Sequence, residues 1–222
     1  MNADTWLEYH NREMERLAVL HQPFKVDLPE RRIGNWEVKK FEVRKGVEQL
    51  RQAMKGRPIP VGTYTRLFCH EDGDLFMSDT PAELNDAREL MRRASGQVLI
   101  TGLGLGMIPR ALFLPERQDL FPWAPEVDRV WIIEKNPEVI KLVAASLAHL
   151  PVTIVCADAF EWLPEKGFKF DWAWHDIWPT MNDENLPEVA RLRMRFRSFM
   201  KESGRQLVWG EAEMKAQRRR YG

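Results

Sequence analysis

Over the second half of the chain, short apolar runs alternate with stretches of helical periodicity. The runs occupy residues 97–101, 129–134, 152–157, 170–176 and 205–209. Four of the five are nearly continuous in apolar residues, the pattern of strands covered on both faces. Strands separated by helices predict right-handed crossovers and a parallel sheet. Between the second and third runs, Asn136-Pro137 marks a helix start, and Ile140, Val143 and Leu147 form its buried stripe.

The first half has a different rhythm. A helix is expected over about residues 4–21, with Leu7, Met14, Leu17 and Ala18 on one face. Segments 35–43 and 61–69 are extended, and a turn at Asp72-Gly73 sends the chain back through 74–78 as a hairpin. Thr80-Pro81-Ala82-Glu83 joins a capping box to a proline at the first helical position, with Leu84, Ala87, Met91 and Ala94 as the apolar stripe and Gly96 as the stop. Residues 115–128 exceed the usual helix-to-strand connection and are expected to form a mobile insertion. The pattern therefore divides into an N-terminal helix and hairpin region, 1–95, and a doubly wound α/β region, 96–222.

Composition narrows the setting. The 222 residues suffice for a sizeable core, and 33 basic residues balance 33 acidic ones, so no global field draws the chain to nucleic acid or anionic lipid. Cys69 and Cys156 belong to no CxxC pair, which argues against a disulfide framework and a zinc ribbon. The polar N-terminus does not read as a signal peptide, and no apolar run approaches the ~20 residues of a membrane span. A soluble, cytoplasmic protein is expected, with no dedicated metal site because no histidine cluster has ligand spacing.

In an open parallel sheet, ligands bind beyond the carboxyl ends of the strands. The first strand ends in Gly102-Leu103-Gly104-Leu105-Gly106, where glycines permit a sharp turn and close approach of a ligand, and the following helix start offers N–H groups. The spacing is GxGxG; Met107 stands where a dinucleotide fingerprint needs glycine, and no Walker lysine follows. The second strand ends in Glu134, which can accept from both hydroxyls of a ribose. The third ends in Asp158, an acceptor for a purine amine or a helix N-cap, with the Ala159 N–H available to a ring nitrogen. The fourth ends in His175-Asp176-Ile177-Trp178-Pro179. Asp176 and His175 are the candidate catalytic groups, although strand alternation puts them on opposite faces, and Trp178 is a candidate substrate wall.

These motifs resemble those of class I S-adenosylmethionine-dependent methyltransferases, over about the last 125 residues. The resemblance implies a Rossmann-like fold and S-adenosylmethionine as cofactor. It places Gly102, Gly104 and Gly106 against the methionine part, Glu134 on the ribose, Asp158 and Ala159 on the adenine, and Asp176 at the transfer site. The hairpin followed by Met77-Ser78-Asp79-Thr80-Pro81 looks like the layout of spermidine synthases, which transfer an aminopropyl group from the decarboxylated cofactor. That branch carries an acidic residue near the position of Leu105 and a carboxylate pair around the fourth motif, whereas this chain has only Asp176 there before Asp183. The usual final strand pair is also missing, which leaves a sheet edge that a second copy of the chain could cover.

Three functions follow, in order: methyl transfer to an unidentified acceptor, aminopropyl transfer, and nucleoside binding without catalysis. A small-molecule acceptor is expected. Nucleic acid is the second candidate, through Arg191, Arg193, Arg195 and Arg197 and the basic run 215–220, which otherwise form a solvated helix face and a frayed tail. Trp123 and Trp178 lie where a substrate pocket could use them, while Trp131, Trp172 and Trp174 fall on strands.

Overall fold

The computed structural model describes residues 3–71 and 74–221. Its second half is a parallel sheet in the order β7-β6-β5-β8-β9, built from β5 (Gly96–Thr101), β6 (Val127–Glu134), β7 (Val152–Cys156), β8 (Phe170–His175) and β9 (Met200–Val208). Central β5 pairs Ile100 with Ile132 on one side and Trp174 on the other. Val98, Leu99, Ile100 and Thr101 are all buried, which is why that run is apolar without alternation. The connections leave β5 in opposite directions, so a crevice opens between β5 and β8.

Helices cover both faces. Val98, Ile100, Val130 and Ile132 pack with Met107 and Ala111 of α5 (Met107–Ala111) and with Val139 and Val143 of α7 (Pro137–Leu147). On the opposite face, Leu99, Ile133 and Ala173 meet Val189, Leu192 and Phe196 of α8 (Leu186–Phe196). The chain thus has a Rossmann-like α/β fold, as its sequence pattern predicts.

The first half forms an antiparallel sheet, β1 (Arg31–Ile33), β2 (Trp36–Val43), β3 (Gly62–Cys69) and β4 (Asp74–Ser78), in sequential order. It is accompanied by α1 (Ala3–His21), α2 (Val47–Met54), α3 (Pro81–Asp86) and α4 (Arg88–Arg93). The predicted turn at Asp72-Gly73 lies outside the described residues. Trp36, Val38 and Leu67 share one core with Leu90, Met91 and Val98, so the small sheet packs onto the α/β layer. Arg57 reinforces the junction by donating to both carboxylate oxygens of Asp86, at 2.8 and 3.0 Å, and Trp209 Nε1 donates to Asp86 at 3.1 Å.

Several elements differ from the sequence expectation. The helix after Thr80 is two, because Ala87 leaves helical geometry at φ −88°, ψ 11°. The capping box does not close; Thr80 Oγ1 instead meets Ser78 Oγ at 3.1 Å, and Ser78 Oγ donates to Glu83 at 3.5 Å. No helix fills the β7–β8 connection, residues 157–169, so Asp158 caps a turn. β9 begins at Met200. The C-terminal run is no frayed tail but α9 (Glu211–Tyr221), anchored by buried Met214 and by Glu211, which accepts from Arg193 at 2.6 Å.

Residues 115–128 are packed down. Arg117, on α6 (Arg117–Leu120), is 3% exposed and donates to the carbonyls of Met91, Leu112, Pro125 and Ala94. Phe121 and Ala124 are buried beside it. No described helix is long and apolar enough to cross a membrane.

Candidate functional site

A cleft of about 660 Å³ runs along the carboxyl ends of the parallel strands. Asp158 after β7, Glu134 ending β6, Gly102 after β5, Asp176 after β8 and Trp209 after β9 all line it, in the order of the sheet. Four strand spacings of ~4.8 Å make this row roughly 19 Å long. The opposite wall comes from the N-terminal half, through Trp36, Leu67, Met77 and Glu83.

Each glycine of the GxGxG turn answers a close approach by a different element. All three have positive φ, a region L side chains rarely occupy. A Cβ on Gly102 would lie 2.1 Å from the Asp176 carbonyl oxygen, and one on Gly104 2.2 Å from Met77 Sδ. Gly106 would strike Val143 of α7 at 2.8 Å and does not line the cleft, so it serves helix packing and not the ligand. The apolar helix expected after the turn is only the five residues of α5. It is therefore too short to build an anion site, and the loop N–H groups find partners elsewhere. Leu103 N–H donates to Glu134 Oε2 at 2.9 Å, Gly106 N–H to the Leu103 carbonyl at 3.0 Å, and Leu105 N–H to Met77 Sδ at 3.4 Å.

Glu134 is 7% exposed and ties the glycine turn to the start of α7, since its other oxygen accepts from Asn136 N–H at 2.8 Å. An ionised carboxylate offers about four lone-pair sites, so these two bonds leave capacity facing the cleft. Asp158 is exposed, and its Oδ1 accepts from Phe160 N–H at 2.6 Å, which holds the turn carrying buried Ala159. Ile133, Val139, Ala157 and Phe160 supply apolar surface around these polar groups.

At the other end the cleft gathers carboxylates. Asp176 is pushed up to about 7, by burial first and then by the negative charge of Glu83, against the indole N–H of Trp174. Glu83 is likewise raised to about 7 by burial and by Asp86, with Arg57 and Ser78 opposing. Trp178 is buried with its Nε1 donating to Glu188 at 2.9 Å, so α8 fixes this ring as a wall of the cleft. In total, Glu83, Glu134, Asp158, Asp176 and Glu188 face the cleft with a single lysine, Lys135.

His175 does not belong to the site. It is fully buried on the α8 side, with Nδ1 3.1 Å from Thr101 Oγ1 and Nε2 3.1 Å from Gln206 Oε1, and its ring stacks on Phe196. Burial pushes its pKa down to about 4, so it is a neutral structural histidine. Trp123 is 94% exposed and does not line the cleft. Glu83, Trp36 and Trp209 line the cleft and escaped sequence reasoning. Glu83 had a signal, as the acidic residue three positions after Thr80, but that spacing spoke for a cap.

The arginines of α8 are engaged within the fold. Arg191 lies over the Phe160 ring at 4.3 Å, Arg193 pairs with Glu211, and Arg195 donates to the carbonyls of Trp162 and Glu161. Arg191 and Arg195 brace the helix-free β7–β8 connection.

No protein-family model and no curated protein sequence matches the chain. Solved structures do match in part. An S-adenosylmethionine-dependent methyltransferase from Clostridium acetobutylicum is 15% identical, with 56% of this chain and 46% of that one covered and a TM-score of 0.38. A DhpI–SAM–HEP complex is 20% identical over 61% and 58%, with a TM-score of 0.41. The SAH-bound Podospora anserina methyltransferase PaMTH1 is 15% identical over 57% and 52%, with a TM-score of 0.39. The match spans about half the length of these proteins.

Proposed function

We propose that the protein is an S-adenosylmethionine-dependent methyltransferase acting on a small molecule. The observation that carries this reading is Glu134, which ends β6, fastens the glycine turn through Leu103 N–H, and keeps acceptor capacity toward the cleft beside Asp158 and Ala159. That donor and acceptor set suits an adenosine. Glu134 would take the two ribose hydroxyls, Asp158 the exocyclic amine, and the Ala159 N–H a ring nitrogen.

When bound, the cofactor supplies a methyl group already activated on a cationic sulfonium. The protein's task is then to align the acceptor and remove its proton. Asp176 sits on the far side of Gly102 from Glu134, along the row of strand ends, and its raised pKa suits a proton acceptor near neutral pH. A cleft of about 660 Å³ is of small-molecule size. The internal engagement of Arg191, Arg193 and Arg195 disfavours nucleic acid as acceptor.

Calorimetry with S-adenosylhomocysteine, S-adenosylmethionine, its decarboxylated form and NAD tests the proposal. S-adenosylhomocysteine or S-adenosylmethionine at about 100 times its Kd should stabilise the fold by about 2.7 kcal/mol, a rise in Tm of roughly 5–10 °C for a chain of this size. Binding of NAD alone would overturn the reading. Preference for the decarboxylated form would assign aminopropyl transfer instead.

A further inference from the structure

We propose that the methyl acceptor is a cationic amine with an apolar body, its nitrogen seated between Glu83 of α3 and Asp176 after β8 and its body walled by Trp36, Trp174 and Trp209. The inference rests on the methyl-transfer reading and names its substrate class.

One end of the cleft carries uncompensated charge. Glu83 and Asp176 face one cleft from opposite halves of the chain. Among the described residues neither forms an ion pair. The nearby cation, Arg57, is engaged at both Asp86 oxygens. Lys135 belongs to the Glu134 end, next to it in sequence, so the Glu83 end of the cleft is lined by carboxylates with no lysine or arginine in the lining, and Arg57 acts on Glu83 from its place on Asp86. Such a pair holds its charge poorly, as the raised pKa values of both groups reflect, and an ammonium placed between them restores it. The groups that bear on this titration are Asp86, Arg57 and Ser78 around Glu83, and Trp174 and Asp86 around Asp176.

A second observation points to a ligand in the same space. Trp174 is 4% exposed, lines the cleft beside Asp176, and its Nε1 has no hydrogen-bond partner among the described residues. The indole N–H is therefore a buried donor that bears on Asp176 without hydrogen-bond geometry to it, as expected where a ligand completes the arrangement. Trp36, Trp174 and Trp209 line the same cleft, and indole rings can take a cation as well as an apolar body. A neutral alcohol or thiol acceptor would use the apolar walls but leave both carboxylates uncompensated.

The chemistry balances. The bound ammonium gives one proton to the Asp176 carboxylate, which frees the nitrogen lone pair. Nitrogen then attacks the methyl carbon, the N–C bond forms, and the C–S bond breaks with its electron pair passing to sulfur. The products are a neutral thioether, an N-methylammonium and a protonated Asp176, which returns its proton to solvent.

The test uses the full chain saturated with S-adenosylhomocysteine, titrated calorimetrically with 2-phenylethylamine and with 2-phenylethanol as its neutral counterpart. The amine should bind at least about tenfold more tightly than the alcohol. Glu83→Gln and, separately, Asp176→Asn should each weaken amine binding about tenfold while S-adenosylhomocysteine affinity stays within about twofold, which also certifies that each variant is folded. Lowering the pH from about 8 to about 6 should weaken the amine and leave the alcohol unchanged. Equal binding of amine and alcohol would overturn the proposal, as would unchanged amine affinity in either variant that still holds S-adenosylhomocysteine. Failure of S-adenosylhomocysteine to bind, with the amine still selected over the alcohol in the unliganded chain, overturns methyl transfer and leaves the amine site standing.

Discussion

Glu134 shows how one side chain can be both scaffold and candidate ligand. Its two oxygens hold Leu103 and Asn136 N–H groups at 2.9 and 2.8 Å, in a site where an unpaired N–H costs about 1–3 kcal/mol. Glu134→Ala should therefore lower unfolding free energy by roughly 2–4 kcal/mol in urea titrations and abolish detectable S-adenosylhomocysteine binding. Glu134→Gln, which keeps one acceptor oxygen, should recover part of the stability. An alanine variant that binds with unchanged affinity would remove Glu134 from the site. Residue identity made Glu134, Asp158 and Asp176 legible in the sequence, since each is a carboxylate at the end of an apolar strand. It could not separate His175 from them. The one-residue step that turns His175 beneath α8 follows from strand alternation, but which face holds the ligand depends on what packs against each face.

Among the elements, the segment 115–128 departs most from its expected behaviour. Its length predicts a mobile insertion, yet Arg117 donates to four carbonyls and none of these residues lines the cleft. Burial pulls the guanidinium pKa down, but those bonds leave it satisfied. Arg117→Ala is expected to destabilise the chain by about 3 kcal/mol or more, because several buried carbonyls lose their donor together. Calorimetric affinity for S-adenosylhomocysteine should stay within about twofold in that variant, and a large loss would mean that the segment does shape the site. The parallel strands and α7 were legible because their apolar periods exceed any ambiguity. The short α5, the break at Ala87 and the helix-free β7–β8 connection were not. The first and the last depend on distant partners: Val143 behind Gly106, and Arg191 over Phe160.

For the molecule as a whole, the buried titratable groups set opposing pH responses. Glu83 and Asp176 have folded-state pKa values near 7, above their ordinary values, so their contribution is present at low pH and is lost as pH rises through about 7. His175, lowered to about 4 from 6.5, contributes stability above pH 6.5 that is lost as pH falls toward 4. Asp176→Asn should accordingly be more stable than the parent chain at about pH 8, by about 1 kcal/mol or 2–4 °C in Tm, and should lose that advantage near pH 4. Scanning calorimetry at the two pH values checks this, and an equal shift at both would show that Asp176 is not held back from ionising. The β9 edge carries exposed Lys201, Glu202 and Arg205, a charged rim that discourages strand-to-strand pairing with another copy.

The sequence alone determined the α/β architecture, the five parallel strands and the carboxylates at their ends, because hydrophobic period and strand termini are local properties of the chain. Only the tertiary structure decided that Glu83, from a helix more than ninety positions before Asp176, closes the same cleft. It also decided that the three glycines make room for Asp176, Met77 and Val143. Such pairings arise when separate elements pack into one volume, and no spacing along the chain encodes which of them will meet.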